Sequence, residues 1–237
     1  MCEPGSCCSH VGALLLLDVS GGAAFCMANI LLEGLRLERQ KNLLQSVATM
    51  LKNFITWMTS QLQSSGSKPL SIVLPSLMIL IPDAHVRQVF DEAGGIGYLT
   101  RHLRYDYLGD SKASVQQLYE LCFCLWLMSY DVENSEAIRN HFHRDGSVGV
   151  LCDLVAQSPR EKVVRCALAT LRNLATCKAS LKVASKRATS TMIQGSDYLV
   201  EIVGCGLMKS LESLRSRQWT DPDIVEGKAD CDCHRER

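Results

Sequence analysis

Neither sign of charge dominates this sequence: Lys plus Arg and Asp plus Glu each number 25 in 237 residues. That balance excludes the global basic field that draws a protein non-specifically to nucleic acid or an anionic membrane, so any partner must be recognised locally. Long apolar runs are also missing. The longest nearly uncharged stretch surrounds Ser71 to Ile81, well short of the roughly 20 apolar residues that a membrane-spanning helix needs. No export signal is recognisable, because Glu3 stands where a positive n-region belongs and Asp18 interrupts the apolar run Leu14 to Leu17. Aromatic residues make up only 6% of the chain, and no sustained period-two alternation argues for strands.

What is present is leucine, helical periodicity and cysteine. An apolar fraction of 47% can fill a substantial core. Of the 12 cysteines, Cys122, Cys124, Cys152, Cys166 and Cys205 sit inside apolar runs, where a free thiol behaves as a small buried hydrophobe. The chain is too long and too rich in core for a small disulfide-stapled scaffold, and a reducing, intracellular location is expected. The periodicity predicts helices near Gln40 to Gln63, Leu70 to Ile81, Asp83 to Glu92, Ile96 to Arg104, Ser114 to Tyr130, Ser135 to Phe142, Val148 to Gln157, Arg160 to Cys177 and Asp197 to Arg217. Pro75 falls within one of these runs and predicts a kink or a helix start.

An internal repeat organises these helices. VRQVFDEAGGIGYL from Val86 aligns without a gap onto IRNHFHRDGSVGVL from Ile138, 52 positions on. Arg87 matches Arg139, Phe90 matches Phe142, Gly94 matches Gly146, Gly97 matches Gly149 and Leu99 matches Leu151. EIVGCGLMKSL is a weaker third copy, with Gly206 and Leu207 in the places of Gly149 and Val150. Each copy reads as a short helix, a glycine turn, a second helix, a loop and a longer apolar helix. Units of roughly 40 to 50 residues built this way predict an all-α, armadillo or HEAT-like right-handed solenoid, in which stacking of neighbours completes the core. The excess length of the unit is assigned to the loop Tyr105 to Ser111. Within the last helices, Val164, Leu168, Leu171 and Ala175 form a one-sided apolar stripe, and Glu161 and Arg165 can pair across one turn. LYELCFCLWLMSY is apolar nearly all round and is expected to be the most enclosed helix.

The residues capable of chemistry fall into patterns that chemistry cannot use. Helical residues i and i+2 point about 200° apart, so Cys122 and Cys124 can neither chelate one metal nor form a disulfide. His141 and His143 in HFHRD fail by the same geometry and are expected in a solvated turn. CDCHRER at the C-terminus lacks a second cluster to complete a tetrahedral shell and reads as a disordered tail. GGIG at Gly94 to Gly97 follows a helix and lacks phosphate-loop grammar, so its glycines are expected to be helix caps. KVASKRATS, Lys182 to Ser190, reads as an exposed linker. The residues imply no catalytic group, no cofactor and no metal site.

Three segments together resemble one family, the H subunit of the vacuolar-type proton-pumping ATPase, and in particular its plant and algal members. They are QLYELCFCLWLMSY (Gln117 to Tyr130), REKVVRCALATLRNL (Arg160 to Leu174) and GLMKSLESLRSRQWTDPDI (Gly206 to Ile224), joined by the FDEAGGI turn at Phe90 to Ile96. The similarity runs from about Phe54 to Ile224. It implies a non-catalytic regulatory subunit of the peripheral V1 sector, needed for ATP hydrolysis to drive proton pumping and organelle acidification. It also implies other V1 subunits as partners, the peripheral stalk above all, with no nucleic acid and no membrane insertion, at the cytoplasmic face of vacuolar and other endomembranes. Residues 1–39 match poorly, 40–224 correspond to the helical-repeat domain, and 225–237 form an aberrant tail, VEGKADCDCHRER, where family members continue into another helix and a second domain. The resemblance therefore implies a truncated member. A generic armadillo adaptor that binds peptides in a groove is the alternative, and only Asn173 suits the asparagine ladder such a groove requires. Contact residues toward a partner are expected at the exposed positions Arg165 and Arg172 of one inner helix and at Trp219, Asp221 and Asp223.

Overall fold

The computed structural model describes residues 21–41, 45–63, 67–104, 115–177 and 198–217. Eleven α-helices and one 3-10 turn make up these residues, with no strand among them. In chain order they are α1 Gly21–Lys41, α2 Gln45–Gln63, α3 Ser67–Leu80, α4 Ala84–Glu92, α5 Gly95–Leu103, α6 Val115–Met128, α7 Glu136–Arg144, α8 Ser147–Gln157, α9 Glu161–Thr176, α10 Tyr198–Gly204 and α11 Leu207–Ser216. The 3-10 turn, Ser129–Asp131, extends the end of α6.

The helices stack as the repeat predicts, giving an all-α solenoid. Helices α3, α6 and α9 lie side by side as one layer, with α1 against the far side of α3. The shorter pairs α4–α5, α7–α8 and α10–α11 form the other layer, each pair packed on the long helices and on its neighbours. The core runs unbroken through the stack, from Leu31, Leu51 and Leu74 through Phe90, Leu125 and Phe142 to Leu171, Tyr198 and Ile202.

One backbone device is used three times. Gly94, Gly146 and Gly206 each sit in the left-handed region, at φ 79°, 68° and 74°, immediately before α5, α8 and α11. A residue with a Cβ is strained there, which is why the turn between the paired helices carries glycine every time. The third copy is therefore registered differently from the sequence expectation: Gly206 occupies the place of Gly146, not that of Gly149. The same glycine divides the stretch Asp197 to Arg217, expected as one helix, into α10 and α11.

Helix α1 has no counterpart in the sequence expectation. Its inward stripe is Ala24, Ala28, Leu31 and Leu35 at i, i+4, i+7 and i+11, all nearly or fully buried. Half of that stripe is alanine, and no acidic residue stands in the first turn of GGAAFCMANILLEGLRLERQK. Pro75 lies within α3 without ending it. The one-sided stripe foreseen on α9 is too narrow. Val164 and Leu171 are buried, but Leu168 and Ala175 are only partly so, whereas Val163, Ala167, Thr170 and Leu174 are fully enclosed. The cause is packing on more than one side, since α9 meets α6, α8 and α10.

Polar side chains fasten the turns between units. Arg87 donates from Nε to Asp131 Oδ2 at 2.6 Å and from Nη2 to Oδ1 at 3.1 Å, while Nη1 reaches the carbonyls of Ile81 and Pro82. Arg139, its repeat mate, donates to the carbonyls of Val132 and Glu133. Arg217 donates to the carbonyls of Ala156 and Ser158 at the end of α8. These guanidinium groups occupy orphan carbonyls at turns and helix ends, which buried backbone requires.

Candidate interaction surface

Helix α6 is not enclosed all round. Leu121, Cys122, Cys124, Leu125 and Met128 are fully buried, but Tyr119, Phe123 and Trp126 are only partly covered and Tyr130 is half exposed. Spacings of four, three and four residues place the four rings on one face of the helix. They touch in sequence, with ring centroids 5.8 Å, 5.5 Å and 5.7 Å apart. The result is a continuous aromatic stripe along the middle helix of the α3–α6–α9 layer. The signal was in the sequence as Tyr, Phe, Trp and Tyr at helical spacing, hidden by the apolar character of the rest of the helix.

On α9, Arg165 and Arg172 are both exposed, and Arg165 pairs with Glu161 one turn away. Asn173 does not stand in an open ladder. Its Nδ2 donates to Ser129 Oγ at 2.8 Å, and Ser129 Oγ in turn donates to the Trp126 carbonyl at 2.6 Å, so Asn173 ties α9 to the end of α6. Trp219, Asp221 and Asp223, together with the Lys182–Ser190 stretch, the loop at 105–111 and the CDCHRER tail, lie outside the described residues.

The buried thiols of α6, α8 and α9 are held protonated. Burial pushes Cys122 well above the usual thiol range and does the same to Cys124, and it raises Cys166 to about 11 and Cys152 to about 12. A neutral thiol is a poor nucleophile and a poor metal ligand. Among the described residues, no group of three or more His, Cys, Asp and Glu side chains could hold a metal ion. Among them too, no helix is long and apolar enough to cross a membrane.

His141 and His143 do not lie in a solvated turn. Both belong to α7, and each faces a carboxylate of a different neighbouring unit. His141 Nδ1 is 2.6 Å from Asp91 Oδ1 on α4, and His143 Nδ1 is 3.0 Å from Glu201 Oε2 on α10. The i, i+2 divergence that rules out a shared metal is what sends them to opposite sides. The carboxylates lie 50 and 58 positions away in the chain, too distant for local pattern to reveal.

Comparison with known proteins agrees with this architecture. The model of the family described as the V-ATPase H subunit matches residues 20–227. A probable H subunit of the V-type proton ATPase of Oryza sativa subsp. japonica is 25% identical over 188 residues, covering 78% of this chain and 36% of the rice protein. The V-type proton ATPase H subunit of Dictyostelium discoideum is 26% identical over 174 residues, 73% of this chain and 34% of that protein. That of Drosophila melanogaster is 25% identical over 175 residues, 74% of this chain and 33% of that protein. The chain thus spans about a third of the length of these relatives. With the family model covering the whole helical stack from α1 to α11, this chain belongs to the V-ATPase H subunit family.

Proposed function

We propose that the chain is a non-catalytic regulatory component of the peripheral V1 sector of the vacuolar-type proton ATPase, part of a hetero-oligomeric assembly that couples ATP hydrolysis to proton transport and organelle acidification. Its place is the cytoplasmic face of vacuolar and other endomembranes, held there through the V1 complex. The observation that carries this reading is family membership across the full helical stack. A rigid solenoid surface that binds one conformation of an assembly better than another shifts the population toward it, without chemistry of its own.

Contact with the peripheral stalk is assigned to the face of α6 and α9. Tyr119, Phe123, Trp126 and Tyr130 supply rigid, amphipathic contact area, and the exposed Arg165 and Arg172 of α9 supply charge. The Trp219, Asp221 and Asp223 stretch is proposed as a second contact. The test is capture of the tagged chain from cell extract, followed by identification of the catalytic and stalk subunits of the pump. Their recovery supports the proposal; their absence, alongside recovery by a longer H subunit, overturns it.

A further inference from the structure

The repeat register exposes a relation between the two histidines of α7. With Gly94, Gly146 and Gly206 superimposed by their shared left-handed turn, Val89, His141 and Glu201 become equivalent, as do Asp91, His143 and Val203. The first set is the early position and the second the late position of each unit's first helix. Both polar contacts then obey one rule: the late position of one unit meets the early position of the next. Asp91 meets His141, and His143 meets Glu201. The order of acid and base reverses between the two junctions, so the central helix supplies the histidine to both.

Helix α7 is pinned between these contacts by Phe142, which is completely buried between the two histidines in sequence. His143 also meets the Tyr198 ring edge-on, with centroids 6.5 Å apart, and the Tyr198 hydroxyl donates to the Arg139 carbonyl. The first junction is drier than the second: side-chain exposure is 24% for His141 and 5% for Asp91, against 55% for His143 and 25% for Glu201.

We propose that HFHRD is a two-sided, proton-sensitive staple, which tightens the junctions on both flanks of the central unit when its histidines are protonated and loosens both when they are neutral. Histidine changes charge between about pH 5 and 8, and a charge-assisted bond to a carboxylate is roughly twice as strong as a neutral one. Protonation of α7 therefore acts on α4, α7 and α10 together and sets how stiffly three successive units stack.

Helix α4 presents His85, Arg87, Asp91 and Glu92; α5 and its cap carry Arg101, His102 and Arg104; α8 carries Cys152 and Asp153; α10 carries Tyr198 and Glu201. Helix α7 itself has Glu136, Arg139 and Arg144, with Asp145 at its cap. Arg87 is committed to Asp131, and Arg144 Nε donates to Asp145 at 3.1 Å. His141 and His143 each face a carboxylate across a unit boundary at hydrogen-bonding distance.

The test is amide hydrogen exchange on the full chain at pH 6 and pH 8, corrected for intrinsic rates, in wild type, His143→Gln, Glu201→Gln and the double variant. The expected result is that Glu201→Gln lowers protection of α10 by roughly two- to fivefold at pH 6 and little at pH 8. In the His143→Gln background the same substitution has no effect at either pH. Asp91→Asn is expected to act on α7 with the same pH dependence, and by a larger factor, because that junction is buried. Equal losses at both pH values, or losses that persist without the histidine, overturn the staple. The exposed His143–Glu201 pair keeps the test informative if the buried pair proves too costly to alter. The capture experiment above does not bear on this outcome.

Discussion

Gly146 precedes α8 at φ 68°, and a Cβ there pays for the left-handed conformation directly. Gly146→Ala is expected to destabilise the chain by about 1–2 kcal/mol, read as a lower urea midpoint with unchanged slope. Gly149→Ala is the matched control, because a Cβ at that position meets nothing within 4 Å and its φ is not positive. Gly95 is a different case: a Cβ there would come within 2.3 Å of the Phe90 ring, so its constraint is packing against a buried aromatic. The sequence showed three glycine turns but could not separate these reasons, since conformation, close approach and indifference are all written as Gly. It also put Gly206 on Gly149 where the shared left-handed turn puts it on Gly146. Cysteine chemistry follows the same residue-level logic. Cys26 and Cys205 are exposed while Cys122 and Cys124 are fully buried. A thiol-specific reagent is expected to label the first two in the native chain and the second two only after denaturant is added, with peptide mapping as the readout.

At the scale of the element, the pairing of Asp91 with His141 decides how α7 responds to pH. Burial raises the Asp91 carboxyl above its ordinary 3.8, outweighing the opposing pull of the hydrogen bond and charge of His141 and of Arg144. A carboxylate with a raised folded-state value contributes stability that is present below 3.8 and is lost as pH rises through the raised value. Asp91→Asn removes this contribution, so its cost relative to wild type should shrink as pH rises from 3.8 through the raised value. Denaturant midpoints across that range give the measurement, and a cost that grows with pH contradicts the account. None of this was legible in the sequence. Helix α7 itself was, with Ser135 accepting from the Ile138 amide at its start, but the carboxylates that give its histidines meaning arrive from other units. Helix α6 shows the complementary limit. Its hydrophobicity announced a core helix, and Leu121, Cys122, Cys124, Leu125, Leu127 and Met128 are indeed buried. Which side stays open depends on where α3, α5 and α9 pack, and the aromatic stripe emerges only from that packing.

At the scale of the whole molecule, stability in a stacked array is close to a sum of units and nearest-neighbour interfaces. Position in the stack should therefore matter as much as burial. Phe142 and Leu207 are comparable in chemistry but not in place. Phe142 is fully buried in the central unit, whose helices meet α4 and α5 on one side and α10 and α11 on the other. Leu207 is 7% exposed and begins α11, which packs mainly on α8 and α10. Truncating Phe142 to alanine removes core contacts that both interfaces share, at a cost of about 3–5 kcal/mol. Leu207→Ala weakens one flank and should cost about 2–3 kcal/mol or less, because a site at the edge of the stack can relax. The distinguishing prediction is one of cooperativity. Phe142→Ala is expected to lower the protection of α4 to α9 together and to broaden the urea transition, since the units on either side of the weakened centre no longer unfold as one. Leu207→Ala is expected to leave that main transition in place and to release only α10 and α11. Hydrogen exchange resolved by helix, set beside the circular dichroism transition, separates the two. Uniform loss of protection from both variants would mean that the eleven helices behave as one indivisible core, and the nearest-neighbour description of this solenoid would have to be abandoned.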